Sequence, residues 1–271
     1  MLDALIDAAV AGGAEILPIY AGLEPGEVRA KQDGSPVTLA DERAEAVIVA
    51  ALARVAPEIP VIAEEAVAAG HAPPTGPRFF LVDPLDGTRE FVNGSGDFTV
   101  NIALIEDGRA VMGVVYAPAT GAIYAGAAGQ GARQARVVEG VVGAWRPLVL
   151  DEASDEAIAV IASRSHLSPE TEAYIRRFPV RDFVSAGSSL KFCKVAAGEA
   201  DLYPRLSRTM EWDTAAGDAI LSAAGGRVCT LDGAALRYGK RDQADDSDFA
   251  NPWFVATGRF DPFAERDREP D

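Results

Sequence analysis

The chain has 271 residues, of which 41 are acidic and 25 basic, giving a formal net charge of −16 at neutral pH. That balance repels a nucleic-acid backbone, so polymeric nucleic acid is excluded as a partner unless a local basic patch intervenes. It repels a small phosphorylated anion as well, so a phosphate site here must bring its own cations, from metal ions or clustered Lys and Arg.

The length suits one large α/β unit or two tightly packed halves sharing an interface. No apolar run approaches the ~20 residues of a membrane span, so no integral membrane segment is expected. The N-terminus carries Asp3 and Asp7 where a secretory leader has basic residues, which makes a cytoplasmic location the expectation. Cys193 and Cys229 have neither disulfide-framework nor metal-ligand spacing and read as small core hydrophobes. The sequence is silent on oligomeric state.

In chain order, Leu2, Leu5, Ile6, Ala9, Val10, Ile16 and Leu17 fall at helical spacing, as do Ala44, Val47, Ile48, Ala51, Leu52 and Val55, so residues 2–20 and 39–55 predict amphipathic helices. Short apolar runs at 59–63 and 79–82 predict strands, and 98–105 leads through Glu106-Asp107-Gly108-Arg109 into 110–116 as a hairpin. This half reads as α+β, helices on an antiparallel sheet. From residue 157 onward strands alternate with helices: 158–162, 180–184, a helix over 188–197, 202–203, a helix over 214–224, then 227–230. That alternation predicts parallel βαβ units. Residues 127–156 carry the weakest pattern and hold the expected boundary, dividing the chain into 1–145, 146–263 and a charged tail at 264–271.

Three acidic clusters stand at element ends. Leu81-Val82-Asp83-Pro84-Leu85-Asp86-Gly87-Thr88 runs an apolar strand into two carboxylates three residues apart, with Pro84 biasing Asp83 toward an extended backbone. Hard cations such as Mg²⁺ take oxygen ligands, and carboxylates around a turn supply them. Gly87 and Thr88 then offer backbone N–H groups where an anion would sit. The same residues also make an ordinary turn capped by Asp86, and both readings stand at this point. Glu64-Glu65 follows the strand at 59–63, and Asp213 precedes a helix, where it is equally an N-cap.

These segments, Glu64-Glu65, Asp83-Pro84-Leu85-Asp86-Gly87-Thr88 and Trp212-Asp213-Thr214-Ala215-Ala216-Gly217, resemble the signatures of the inositol monophosphatase superfamily, lithium-sensitive Mg²⁺-dependent phosphatases. Within it, Asp33-Gly34-Ser35-Pro36-Val37-Thr38, Ser163-Arg164-Ser165-His166, the Gly187-Ser188-Ser189-Leu190-Lys191 segment and Leu202-Tyr203-Pro204-Arg205 are most similar to the 3′(2′),5′-bisphosphate nucleotidases of the CysQ type. The resemblance implies a layered α-β-α-β-α sandwich. It implies metal ligation by Glu64, Asp83, Asp86, Asp213 and the Leu85 carbonyl, with two or three Mg²⁺ ions. It gives Gly87 and Thr88 the phosphate, Thr88 and Asp41 the attacking water, and His166, Ser188, Lys191 and Arg205 the nucleotide and its second phosphate, with Asp213 also facing substrate. Two departures stand out: Ala63 replaces a usual Gly, and Ser207-Arg208 stand where Gly-Pro is common.

Read without the resemblance, Asp41 is a capping-box residue behind Thr38 and Ser188 is a helix N-cap. Lys191, one turn on, shares a face with Ser188. Lys194 and His71 receive no role. The implied reaction is Mg²⁺-dependent hydrolysis of the 3′-phosphate of adenosine 3′,5′-bisphosphate to AMP, a small phosphorylated nucleotide being the partner. The alternatives are an inositol or sugar phosphate phosphatase of the same superfamily, and a non-catalytic metal- or nucleotide-binding protein.

Overall fold

Leu5, Ile6, Ala9 and Ile16 recur on one side of α1 (Leu2–Gly22) and are buried, which fixes the face that this helix turns inward. It packs on α2 (Leu39–Val55), and the pair covers one face of a large sheet. By length and mean hydropathy α1 would pass as a membrane span, but its apolar stripe is already used against α2 and that sheet. The computed structural model describes residues 1–22, 29–30, 36–150, 157–162 and 168–264.

A two-stranded ribbon, β1 (Arg29–Ala30) with β2 (Pro36–Val37), precedes α2. The large sheet then takes β3 (Val61–Ala63), β4 (Arg78–Asp86), β5 (Thr99–Glu106), β6 (Arg109–Ala117), β7 (Ala122–Ala127), β8 (Gly131–Val138), β9 (Val141–Val142) and β10 (Arg146–Leu148). Its order is β10-β8-β7-β6-β5-β4-β3, with β9 beside β8. Short helices α3 (Glu64–Ala68) and α4 (Thr88–Val92) leave the ends of β3 and β4. The expected antiparallel sheet is corrected at one edge, because β3 and β4 run parallel.

The second sheet gathers β11 (Ile158–Ala162), β12 (Val180–Ser185), β13 (Leu202–Arg205), β14 (Arg227–Thr230) and β15 (Phe254–Thr257) in the order β12-β11-β13-β15-β14. Its helices are α5 (Pro169–Ile175), α6 (Leu190–Ala196) and α7 (Glu211–Ala223). β11 is parallel to β12 and β13, as the alternation predicts, but β15 is antiparallel to both of its neighbours. The all-parallel expectation therefore fails at this inserted strand.

Side-chain alternation along β4 produces the layering. Phe80 and Val82 face α1 and α2, whereas Phe79 and Leu81 face α6, α7 and the second sheet. The far side of the second sheet packs on α5 through Ile158, Val160, Tyr174 and Ile175. The result is the expected α-β-α-β-α sandwich. Gly113 on β6 lets α7 approach closely, since a Cβ there would collide with the Ala216 carbonyl.

Candidate active site

The parallel β3–β4 pair is what assembles the acidic cluster. Ala63 registers with Val82, so Glu64, one residue further, lies beside Asp83. On the other side Asp83 pairs with Asn101 of β5 and Asp86 with Thr99, with a bulge between them. That bulge re-aims Asp86 relative to Asp83, as bulges beside functional sites do. Asp83 Oδ1 accepts from Leu85 N at 3.0 Å, and the Leu85 carbonyl accepts from Thr88 Oγ1 at 3.3 Å. Gly87 sits at φ +90°, a left-handed conformation that starts α4 and that a side chain would strain.

Asp213 comes from across the core. It lies inside the first turn of α7 rather than ahead of it, and its Oδ2 reaches back to accept from Met210 N at 2.8 Å. The turn is held from outside by the fully buried Glu211, whose Oε1 pairs with Lys240 Nζ at 2.7 Å and whose Oε2 accepts from Gly239 N at 2.6 Å. Burial first, then the charges of Glu64, Asp86 and Asp213 and a hydrogen bond with Glu64, holds the Asp83 carboxyl well above the usual carboxylate range. Asp213 is raised as well, by burial, then by Asp86 and Glu64, against the lowering effect of Met210 N and Arg205. Among the described residues no three acidic, His or Cys side chains close on a single point as a finished ion cage would.

Asp86 has the richest set of donors. Its Oδ2 accepts from Ser188 Oγ at 2.5 Å, Ser189 N at 2.8 Å, Ser189 Oγ at 3.0 Å and Asn101 Nδ2 at 3.4 Å. The N-cap reading of Ser188 is corrected here: α6 begins at Leu190, and Ser188 has φ +52° and binds Asp86 and Thr99. Ser189 occupies the cap position without capping, and its hydroxyl also donates to the Asp213 carbonyl at 2.6 Å. Ser189 thus joins the β4 carboxylate to the start of α7, and Ser188 joins it to β5. Ser189 and Asn101 were not singled out as site residues; a polar Asn inside the apolar strand Thr99–Glu106 was the available signal for one of them.

Asp41 makes the capping-box bonds and also meets Thr88. Its Oδ2 accepts from Thr38 N at 2.8 Å and Thr38 Oγ1 at 2.7 Å, closing the capping box of α2, and its Oδ1 accepts from Thr88 Oγ1 at 3.3 Å. Lys191 is buried, donates to the Ser188 carbonyl at 2.6 Å and lies 5.5 Å from the Tyr203 ring centre. Burial, the largest effect, pushes its ammonium down to about 8, against the pull of Asp86. Arg205 ends β13. One cleft of about 440 Å³ is lined by Glu64, Asp86, Gly87, Thr88, Ser188, Lys191, Arg205 and Asp213, and by Arg89, Glu90, Phe192, Tyr203, Arg208, Thr209 and Thr214. Asp83 is buried beside Glu64, Asp86 and Asp213 and is not itself among the lining residues. His166 and the segment 163–165, with 33–35, lie outside the described residues.

The inositol monophosphatase family model matches residues 1–259. The chain belongs to the inositol monophosphatase family. Members of the family named 3′(2′),5′-bisphosphate nucleotidase CysQ are among its relatives. The one from Salmonella typhimurium is 42% identical over 257 residues, covering 95% of this chain and 99% of that protein. The one from Escherichia coli K12 is 40% identical over 254 residues, covering 94% and 98%. In structure the chain is similar to CysQ from Bacteroides thetaiotaomicron, with a TM-score of 0.78, 40% identity and coverage of 96% and 97%. It is also similar to an inositol monophosphatase from Anabaena, with a TM-score of 0.73, 25% identity and coverage of 95% and 90%.

Proposed function

We propose that the chain is a metal-dependent 3′(2′),5′-bisphosphate nucleotidase that hydrolyses the 3′-phosphate of adenosine 3′,5′-bisphosphate. The observation that carries this reading is the make-up of the cleft: Lys191 and Arg205 line it together with the carboxylates Glu64, Asp86 and Asp213 and with Thr88, whose hydroxyl meets Asp41. A substrate with two phosphates uses both kinds of group, one to cleave and one to hold. The relatives at 40–42% identity carry a name for the same reaction.

The donor set fits Mg²⁺. Glu64, Asp83, Asp86, Asp213 and the Leu85 carbonyl are all hard oxygen ligands, and the carboxylates repel one another until a cation joins them. These residues would hold two ions, or three, and bound Mg²⁺ supplies a water of lowered pKa and neutralises charge on the transferring phosphoryl group. Thr88 would accept a hydrogen bond from the attacking water while its own hydroxyl donates to Asp41, which Thr38 orients from behind. Gly87 and Thr88 would face the phosphate. The P–O3′ bond breaks as the water oxygen joins phosphorus, giving adenosine 5′-phosphate and phosphate. The chain needs no covalent nucleophile, because phosphoryl transfer asks mainly for positioning and charge neutralisation. Ser188, Lys191, Arg205 and His166 would hold the nucleotide and the phosphate that stays.

The test compares turnover of adenosine 3′,5′-bisphosphate with that of inositol 1-phosphate and identifies the nucleotide product. Preference for the bisphosphate, with 5′-AMP released, is expected. Equal or better turnover of inositol 1-phosphate would move the chain to the inositol phosphatases of the family.

A further inference from the structure

The connection from β13 to α7, residues 206–210, crosses the lip of the cleft and brings Arg208 into its lining. Its backbone is pinned on both sides. Leu206 N donates to Thr171 Oγ1 at 3.3 Å, Asn251 N to the Thr209 carbonyl at 2.9 Å, and Asn251 Nδ2 to the Met210 carbonyl at 2.7 Å. The Arg208 side chain is held differently. Its Nε donates to Asp246 Oδ1 at 3.2 Å and a terminal nitrogen to Ser247 Oγ at 2.6 Å, with the Arg208 and Asp246 side chains 56% and 41% exposed.

A pair that open to solvent contributes little and exchanges readily. A guanidinium fork on a phosphate makes paired charge-assisted bonds and is the stronger arrangement. Arg205 lies alongside, donating to the Arg208 carbonyl at 3.4 Å while its buried Nε has no hydrogen-bond partner among the described residues. A held backbone, a side chain paired in the open to solvent and a place in the cleft lining beside Arg205 and Lys191 suit Arg208 to a change of partner.

We propose that Arg208 is a specificity-determining residue that leaves Asp246 and Ser247 to grip the phosphate retained by the nucleotide. Asp246 is then its resting partner, in competition with that phosphate. The proposal rests on the nucleotidase reading, and the position is one where this chain departs from the Gly-Pro pair expected from the resemblance.

Steady-state kinetics with adenosine 3′,5′-bisphosphate and inositol 1-phosphate test it on the wild type, Arg208→Ala, Arg208→Lys and Asp246→Asn, each checked by thermal melting. Arg208→Ala is expected to lower the bisphosphate-to-inositol-phosphate efficiency ratio about tenfold or more, mainly through KM, and Arg208→Lys to restore part of it. Asp246→Asn is expected to act in the opposite direction, lowering KM for the bisphosphate severalfold. A loop clamp alone predicts the same loss in Arg208→Ala and Asp246→Asn, in kcat and melting as much as in KM, and that result overturns the proposal. An unchanged ratio in Arg208→Ala, with the wild type preferring the bisphosphate, overturns it while sparing the nucleotidase reading. A wild type without that preference defeats both.

Discussion

At Asp41 one carboxylate binds both the helix cap and the Thr88 hydroxyl. One oxygen takes the capping-box bonds from Thr38 and the other takes the Thr88 hydroxyl. An Asn amide oxygen accepts a cap bond nearly as well, so Asp41→Asn is expected to cost little stability, under about 1 kcal/mol. Turnover is different, because the water-orienting bond is expressed in the transition state. Asp41→Asn and Thr88→Ala are both expected to lower kcat by ~10²–10⁴-fold with KM little changed. Should kinetics show lost affinity and kept turnover, Asp41 is a cap and nothing more. At Asp83 the expected effects on stability and activity have opposite signs. Asp83→Asn removes one buried charge from a repelling cluster, so the metal-free variant is expected to melt a few degrees higher, ~1 kcal/mol being worth about 2–4 °C at this size. The same variant is expected to lose roughly a hundredfold or more in activity, since disturbing even a group behind a ligand costs 10–100-fold. A melt in chelator that falls instead would contradict the repulsive cluster.

Elements decide which residues meet, and here legibility from the sequence divides. The acidic motifs were legible because two lie where an apolar run ends, at Ala63 and Val82, and the third opens a stretch of helical pattern after Trp212. The parallel pairing of β3 with β4 was not, since antiparallel and parallel strands of this length share one apolar pattern, and only tertiary packing chooses. β15, Phe254–Thr257, was missed because it follows a long turn-rich stretch with no helix leading into it, so the strand–helix alternation does not reach it. Ser189 meets Asp86 across a separation of 103 residues, which no local pattern encodes. Lys191 on α6 and Arg205 on β13 both line the cleft. Lys191→Ala and Arg205→Ala are expected to cost ten- to a hundredfold in efficiency with the bisphosphate, a charge-assisted contact being worth roughly 1.5–3 kcal/mol, and much less with inositol 1-phosphate. Arg205→Ala is expected to cost more, because its fork grips oxygens in pairs. Because burial sets the Lys191 ammonium at about 8, kcat/KM for the bisphosphate is expected to bend downward as pH rises past that value. The bend should vanish in Lys191→Ala, and its persistence there would assign it to another group.

At the scale of the molecule, a chain of charge −16 concentrates carboxylates in its cleft, and that has a thermodynamic consequence. Asp83 and Asp213 keep protons in the folded state at pH values where the unfolded chain, with Asp near 3.9, has released them. Their contribution to metal-free stability is therefore full below about 4 and is lost as pH rises through the raised folded values. Mg²⁺ must displace those protons, so its stabilisation, read as the rise in melting temperature over chelator, is expected to be larger at pH 8 than at pH 5.5. An equal rise at both would mean that the ion binds elsewhere. The most direct measurement is phosphate release from adenosine 3′,5′-bisphosphate by the wild type and Asp86→Asn, each titrated with Mg²⁺ from a chelated start. No release is expected without Mg²⁺, saturable release of phosphate with 5′-AMP is expected in the wild type, and little or none in Asp86→Asn. Full release in chelator, or an Asp86→Asn titration that overlays the wild type, would contradict those expectations.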